Sequence, residues 1–157
     1  MNTDHLTLPD PQPTGRRPTA VARRFGYLIA IAVNAVLLYA VNNLLGWDVV
    51  PFLTDDLELA IPLINLSLIV TMVVNLSYVF FDDRWFKSIT QIGLASASLA
   101  ATVRLYQVFP FDFSAYDFGW DTLARTVLII AIVGIVISIF AEAVKLLAAG
   151  LRLVKSI

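Results

Sequence analysis

The sequence predicts an all-α membrane protein, a bundle of four transmembrane helices with both termini on the cytoplasmic side. Three observations carry this expectation: a surplus of apolar residues, long runs without a charge, and a one-sided distribution of lysine and arginine. Of 157 residues, 59% are hydrophobic and 15% charged, and the mean hydropathy is +0.80. Average globular chains are about half apolar and a quarter charged. A domain this small leaves a large share of its surface exposed, so the surplus calls for lipid, and the bilayer is the first expected partner.

Residues 1–24 hold Pro9, Pro11, Pro13 and Pro18 together with Arg16, Arg17, Arg23 and Arg24. Few apolar side chains and frequent helix breakers predict a disordered tail. The apolar run behind it is too long for a signal-peptide core and lacks a small-x-small cleavage site, so the tail is expected to stay on the protein. Residues 25–157 then form a single transmembrane domain. Residues 25–47 and 59–81 carry no charge, and each meets the roughly 20 apolar residues that cross a hydrocarbon core. A third helix is expected over 88–109, interrupted by Arg104, and a fourth over 121–150 around an uncharged centre from 126 to 141.

Orientation follows from the basic residues. Arg16, Arg17, Arg23 and Arg24 precede the first helix, Arg84 and Lys87 lie between the second and third, and Lys145, Arg152 and Lys155 end the chain. The other two connections contain no Lys or Arg but hold Asp48, Asp55, Asp56, Glu58, Asp112, Asp117 and Asp121. The positive-inside rule then puts both termini in the cytoplasm of a plasma-membrane protein. Aromatic residues gather at the acidic side, most densely in the stretch from Phe109 to Trp120, which is too aromatic for a solvated loop and is expected to fold back onto the helices. The segments ending in Val50-Pro51-Phe52 and Phe109-Pro110-Phe111 align as a short internal repeat, a pattern known from transporters, although interfacial composition alone accounts for it equally well.

Chemistry-bearing groups are few. The chain has no cysteine, which excludes disulfides, thiolate metal sites and thiol nucleophiles, and its one histidine, His5, lies in the tail. No cofactor is expected, nor a nucleic-acid partner at net charge −1. Interest therefore falls on polar side chains within the spans, which are costly in lipid unless they find partners or water. Helical spacing groups Ser67, Thr71, Asn75 and Tyr78 on one face, Gly93, Ala97, Ala100, Arg104 and Gln107 on another, and Gly134, Ser138, Ala141 and Lys145 on a third. The first helix adds Asn34 and Asn42. Two readings are open: polar and small residues as adhesive between helices, or Asn34, Asn42, Thr71 and Asn75 lining a hydrated cavity. Arg104, followed by Gln107, is expected either to pair with Asp48, to snorkel, or to serve a ligand. Arg125 is expected on Asp121, and Lys145 on Glu142.

The basic segment before Gly26-Tyr27, the loop from Val50 to Asp56 and the stretch from Arg104 to Phe113 resemble small uncharacterised four-span membrane proteins of high-GC Gram-positive bacteria. The resemblance implies the span count and carries no activity or site residue. Three functions compete: a non-catalytic accessory or assembly subunit with a protein partner or further copies of itself; a small oligomeric transporter or channel; and a lipid-modifying enzyme. In size and span count the chain resembles small multidrug exporters, but its first helix offers asparagines where those carry a glutamate. The scattered aspartates give an enzyme little to work with, so the accessory reading leads.

Overall fold

The computed structural model describes residues 19–81 and 84–154. Helix α1 runs Ala20–Trp47, α2 Ile61–Phe80, α3 Arg84–Val108 and α4 Trp120–Val154, with a 3₁₀ turn at Asp55–Leu59. Thr19 starts α1: its hydroxyl accepts the Ala22 N–H at 3.2 Å, satisfying one of the orphan donors of the first turn. The last part of the expected disordered tail, residues 20–24, is thus helical, while residues 1–18 lie outside the described residues. Asp48 ends α1 in the left-handed conformation (φ 51°, ψ 30°), which aspartate tolerates better than most residues. Pro62 sits in the first turn of α2, where a missing N–H costs nothing.

Three of these helices are long and apolar enough to cross a membrane: Val21–Trp47, Ile61–Phe80 and Trp120–Leu151. At 1.5 Å per residue α2 is about 30 Å long, the thickness of a hydrocarbon core. With its 25 residues α3 has the length too, but Gln91, Ser96, Ser98, Thr102, Arg104 and Gln107 dilute its hydropathy.

The arrangement differs from a closed bundle. Among the described residues, α1 packs on α2, α2 on α3 and α3 on α4, and no comparable contact joins α1 to α4. The helices form an open row with α1 and α4 as its edges. Short connections enforce neighbours in sequence as neighbours in space. The buried apolar residues gather at the middle of the row, with Val74 and Tyr78 on α2 and Ala101 on α3, or under the loops, with Leu57, Ala60 and Pro110. Two expectations about packing faces fail with the closed bundle. Of the expected α3 face, Gly93, Ala100 and Gln107 are exposed while Ala97 and Arg104 are half-buried, beside a buried Ala101. Gly134, Ser138, Ala141 and Lys145 are all exposed on α4, whereas Ala131, Ile135, Ile139 and Glu142 are half-buried. A methyl group added at Gly93 or Gly134 would meet open space.

At one end of the row, here the aromatic end, the two loops are tied together. Thr54 donates its N–H to the Pro110 carbonyl at 3.0 Å and Asp112 donates to the Phe52 carbonyl at 2.8 Å, an isolated antiparallel bridge centred on Leu53 and Phe111. The two Pro-Phe segments that align in sequence therefore lie side by side. At the other, basic end, the Tyr78 hydroxyl meets Thr90 Oγ1 at 2.6 Å, and the Lys87 ammonium stands 5.7 Å from the ring centres of both Tyr27 and Tyr78. This cluster ties α1, α2 and α3 together.

Candidate functional site

The aromatic end carries two adjoining clefts. Phe109 adopts φ 44°, and the turn it begins aims Phe111 and Phe113 back over the α1–α2 loop. Phe52 lies 5.1 Å from Phe113 and 6.3 Å from Tyr116, with the Tyr116 ring nearly perpendicular to Phe52 at 79°. Phe113 and Tyr116 are 6.4 Å apart at 70°. Phe52, Phe113, Tyr116 and Trp120 together line a cleft of about 280 Å³ whose walls are almost wholly apolar. This bears out the expectation that the aromatic stretch folds back.

A second cleft of about 440 Å³ adjoins the first, sharing Phe113 and Tyr116 with it, and holds Asp112, Ser114, Asp121 and Arg125. Asp112 accepts the Ser114 N–H at 2.9 Å, a local turn of the kind aspartate favours. Hydrogen bonds from the Ser114 backbone and then its side chain hold the Asp112 carboxyl below the usual carboxylate range. The Arg125 guanidinium is not on Asp121 as expected. It lies 3.8 Å from the centre of the Phe109 ring and 6.0 Å from that of Tyr106, a cation–π contact that leaves both carboxylates without an ion-pair partner among the described residues. Helical spacing puts Asp121 and Arg125 on one face, but the left-handed turn at Phe109 supplies a competing ring.

The intramembrane candidates separate into two kinds. Asn34 donates to the Ala30 carbonyl at 2.8 Å, Thr71 to Ser67 at 2.8 Å and Asn75 to Thr71 at 2.8 Å, each bonding back along its own helix. Asn42 does more. Its amide exchanges two hydrogen bonds with Asn65, at 2.8 and 2.9 Å, and also donates to Leu38 at 2.7 Å. The pair bridges α1 to α2 and is the adhesive role in full. Asn65 was not legible from spacing, since its face is set by the neighbouring helix rather than by its own period. The two clefts at the aromatic end are lined by other residues than Asn34, Asn42, Thr71 and Asn75.

Arg104 is half-buried, and its Nε donates to the Leu59 carbonyl at 3.1 Å. The expected ion pair with Asp48 does not form: Asp48 caps α1, whereas Arg104 reaches across to the end of the 3₁₀ turn before α2. The guanidinium thereby fastens α3 to the acidic loop through a backbone carbonyl. Gln107 points to the exposed side. Lys145 and Glu142 do pair, at 2.6 Å. Among the described residues, no three His, Cys, Asp or Glu side chains come together as a metal site. The chain matches no family model, no curated protein and no solved structure.

Proposed function

We propose that this protein is a four-span component of the plasma membrane, with both termini cytoplasmic, that works by association as a non-catalytic accessory or assembly subunit. The open helix row carries the reading. An edge helix in lipid gains nothing from hiding apolar side chains, because lipid tails are as apolar as leucine. Small residues are another matter, since they let a second helix approach closely. On α4, Gly134, Ser138 and Ala141 are exposed on the same face, with open space above Gly134. That stripe is laid out for a helix from another molecule. The fourth span is α3, which at 25 residues is long enough to cross and lies between α2 and α4, with Ser98, Thr102 and Arg104 half-buried. The partition of Lys and Arg supports the orientation.

The test is crosslinking in native membranes followed by mass spectrometry of the gently extracted complex. A defined partner, or a second copy, should crosslink to α4, and Gly134→Leu with Ser138→Leu should abolish the adduct without lowering the melting temperature of the extracted protein. Recovery of the unmodified protein alone, with no crosslinked product from native membranes, would overturn the reading.

A further inference from the structure

The two adjoining clefts at the aromatic end have chemistry that association through α4 does not use. We propose that they form one binding site for an amphipathic organic cation, with its apolar body between Phe52, Phe113, Tyr116 and Trp120 and its ammonium group facing Asp112 and Asp121.

Three observations carry this. The first is division of polarity: the cleft of about 280 Å³ is walled by four aromatic side chains, and its neighbour of about 440 Å³ contains two carboxylates. Phe113 and Tyr116 belong to both, so one molecule of modest size can occupy them together. Typical small-molecule sites run from about 300 to 1,000 Å³. The second is ring geometry. Tyr116 stands at 79° to Phe52 and 70° to Phe113, while Phe52 and Phe113 lie at 30° to each other, so the Tyr116 ring stands across the other two instead of stacking on them. Such an arrangement presents ring faces to a guest, and ring faces attract cations. The third is charge. Arg125, the cation that lines the same cleft, is engaged over the Phe109 ring at 3.8 Å, and among the described residues neither Asp112 nor Asp121 has an ion-pair partner. Asp55, Asp56, Glu58 and Asp117 add to the negative field at this end, and the two loops contain no Lys or Arg. An anion would be repelled, and a neutral apolar guest would leave the carboxylates unused.

Benzyltrimethylammonium is a suitable probe, because its charge is permanent and its ring fits an aromatic slot. Its neutral carbon isostere, neopentylbenzene, has the same shape without the charge. Binding to the full chain in a neutral detergent is read by fluorine NMR of fluorotryptophan-labelled protein, with the Trp120 resonance assigned through Trp120→Phe. The cation should shift that resonance saturably and bind at least about threefold tighter than the isostere, the low end for a cation held by ring faces. Asp112→Asn with Asp121→Asn, both at exposed positions, should remove most of that preference while the isostere binds as before. Phe113→Leu keeps apolar volume but loses the ring face, and should weaken the cation more than the isostere. Equal affinity for cation and isostere marks a nonspecific apolar crevice and overturns the proposal. So does an unchanged preference in the double Asp variant, or a Trp120 resonance that the cation does not move. None of these outcomes touches the α4 association, which is measured by crosslinking.

Discussion

The amide pair between α1 and α2 makes an asymmetric prediction. Both Asn65 hydrogen bonds go to Asn42, at 2.8 and 2.9 Å, whereas Asn42 also bonds the Leu38 carbonyl of its own helix at 2.7 Å. Asn65→Leu therefore leaves Asn42 with one partner, and Asn42→Leu leaves the Asn65 amide with none. Leucine is close to asparagine in volume, so packing changes little in either variant. Hydrogen bonds between membrane helices average about 0.6 kcal/mol and reach about 1.7. Two bonds then give about 1–2 kcal/mol for Asn65→Leu, at the lower end because Asn42 is exposed. Asn42→Leu should cost about 1 kcal/mol more, the desolvation of an amide left unpaired. In the double variant that extra cost disappears, and a cycle should return a coupling of about 2 kcal/mol. The assay is reversible unfolding in mixed micelles, followed by the circular dichroism of the helices. Equal costs for the two single changes, or costs that simply add, would refute the reciprocal pair.

Arg104→Ala should cost about 1.5–3 kcal/mol in the same assay, the range for a hydrogen bond with one charged partner. A cycle between Arg104→Ala and Asp48→Asn should be additive, since Arg104 bonds Leu59 and not Asp48; coupling above about 0.5 kcal/mol would restore the ion pair. Arg125→Ala, which loses an exposed cation–π contact, should cost less, about 0.5–1 kcal/mol. Thr54 Oγ1 is buried with no hydrogen-bond partner among the described residues, so Thr54→Val should be neutral or raise the melting temperature. A drop would mean that the hydroxyl has a partner such as an internal water. For topology, cysteines at Asp56 and Ser114 should label from outside intact cells, and a reporter fused after Ile157 should read cytoplasmic. Labelling of Ser88 from outside would invert the orientation.

The helices were legible because charge-free runs and spacing are local properties. The expected end of the first helix at residue 47 and the observed end of α1 coincide, and the other boundaries shift by a few residues where caps and short turns intervene. At the start of α1, the Thr19 cap extends the helix back through the basic residues. What spacing cannot supply is the identity of a neighbour. It groups Gly134, Ser138 and Ala141 correctly on one face, yet whether that face meets α3 or nothing depends on how the row is laid out. The same gap explains the arginines. Charge offers Arg104 the Asp48 carboxylate, among other roles, and Arg125 the Asp121 carboxylate, and each reaches another acceptor, a backbone carbonyl in one case and a ring face in the other. The aromatic cleft was half legible: composition brought its loop back onto the helices, but the perpendicular rings depend on the left-handed turn at Phe109.

A row in which each described helix leans mainly on the one made just before it has a consequence for synthesis. Every hairpin completes its contacts as it leaves the ribosome, with no need to await the C-terminal segment, and low separation between partners favours rapid assembly. The exceptions are the contact of Lys87 with Tyr27, the bond from Arg104 to Leu59 and, latest of all, the bridge of Leu53 with Phe111, which joins segments made well apart in time. It can close only after the third helix has emerged. The loop pairing that shapes the aromatic cleft is therefore among the last features to form, and a chain arrested before Phe111 would hold its first helices in place with the cleft unmade.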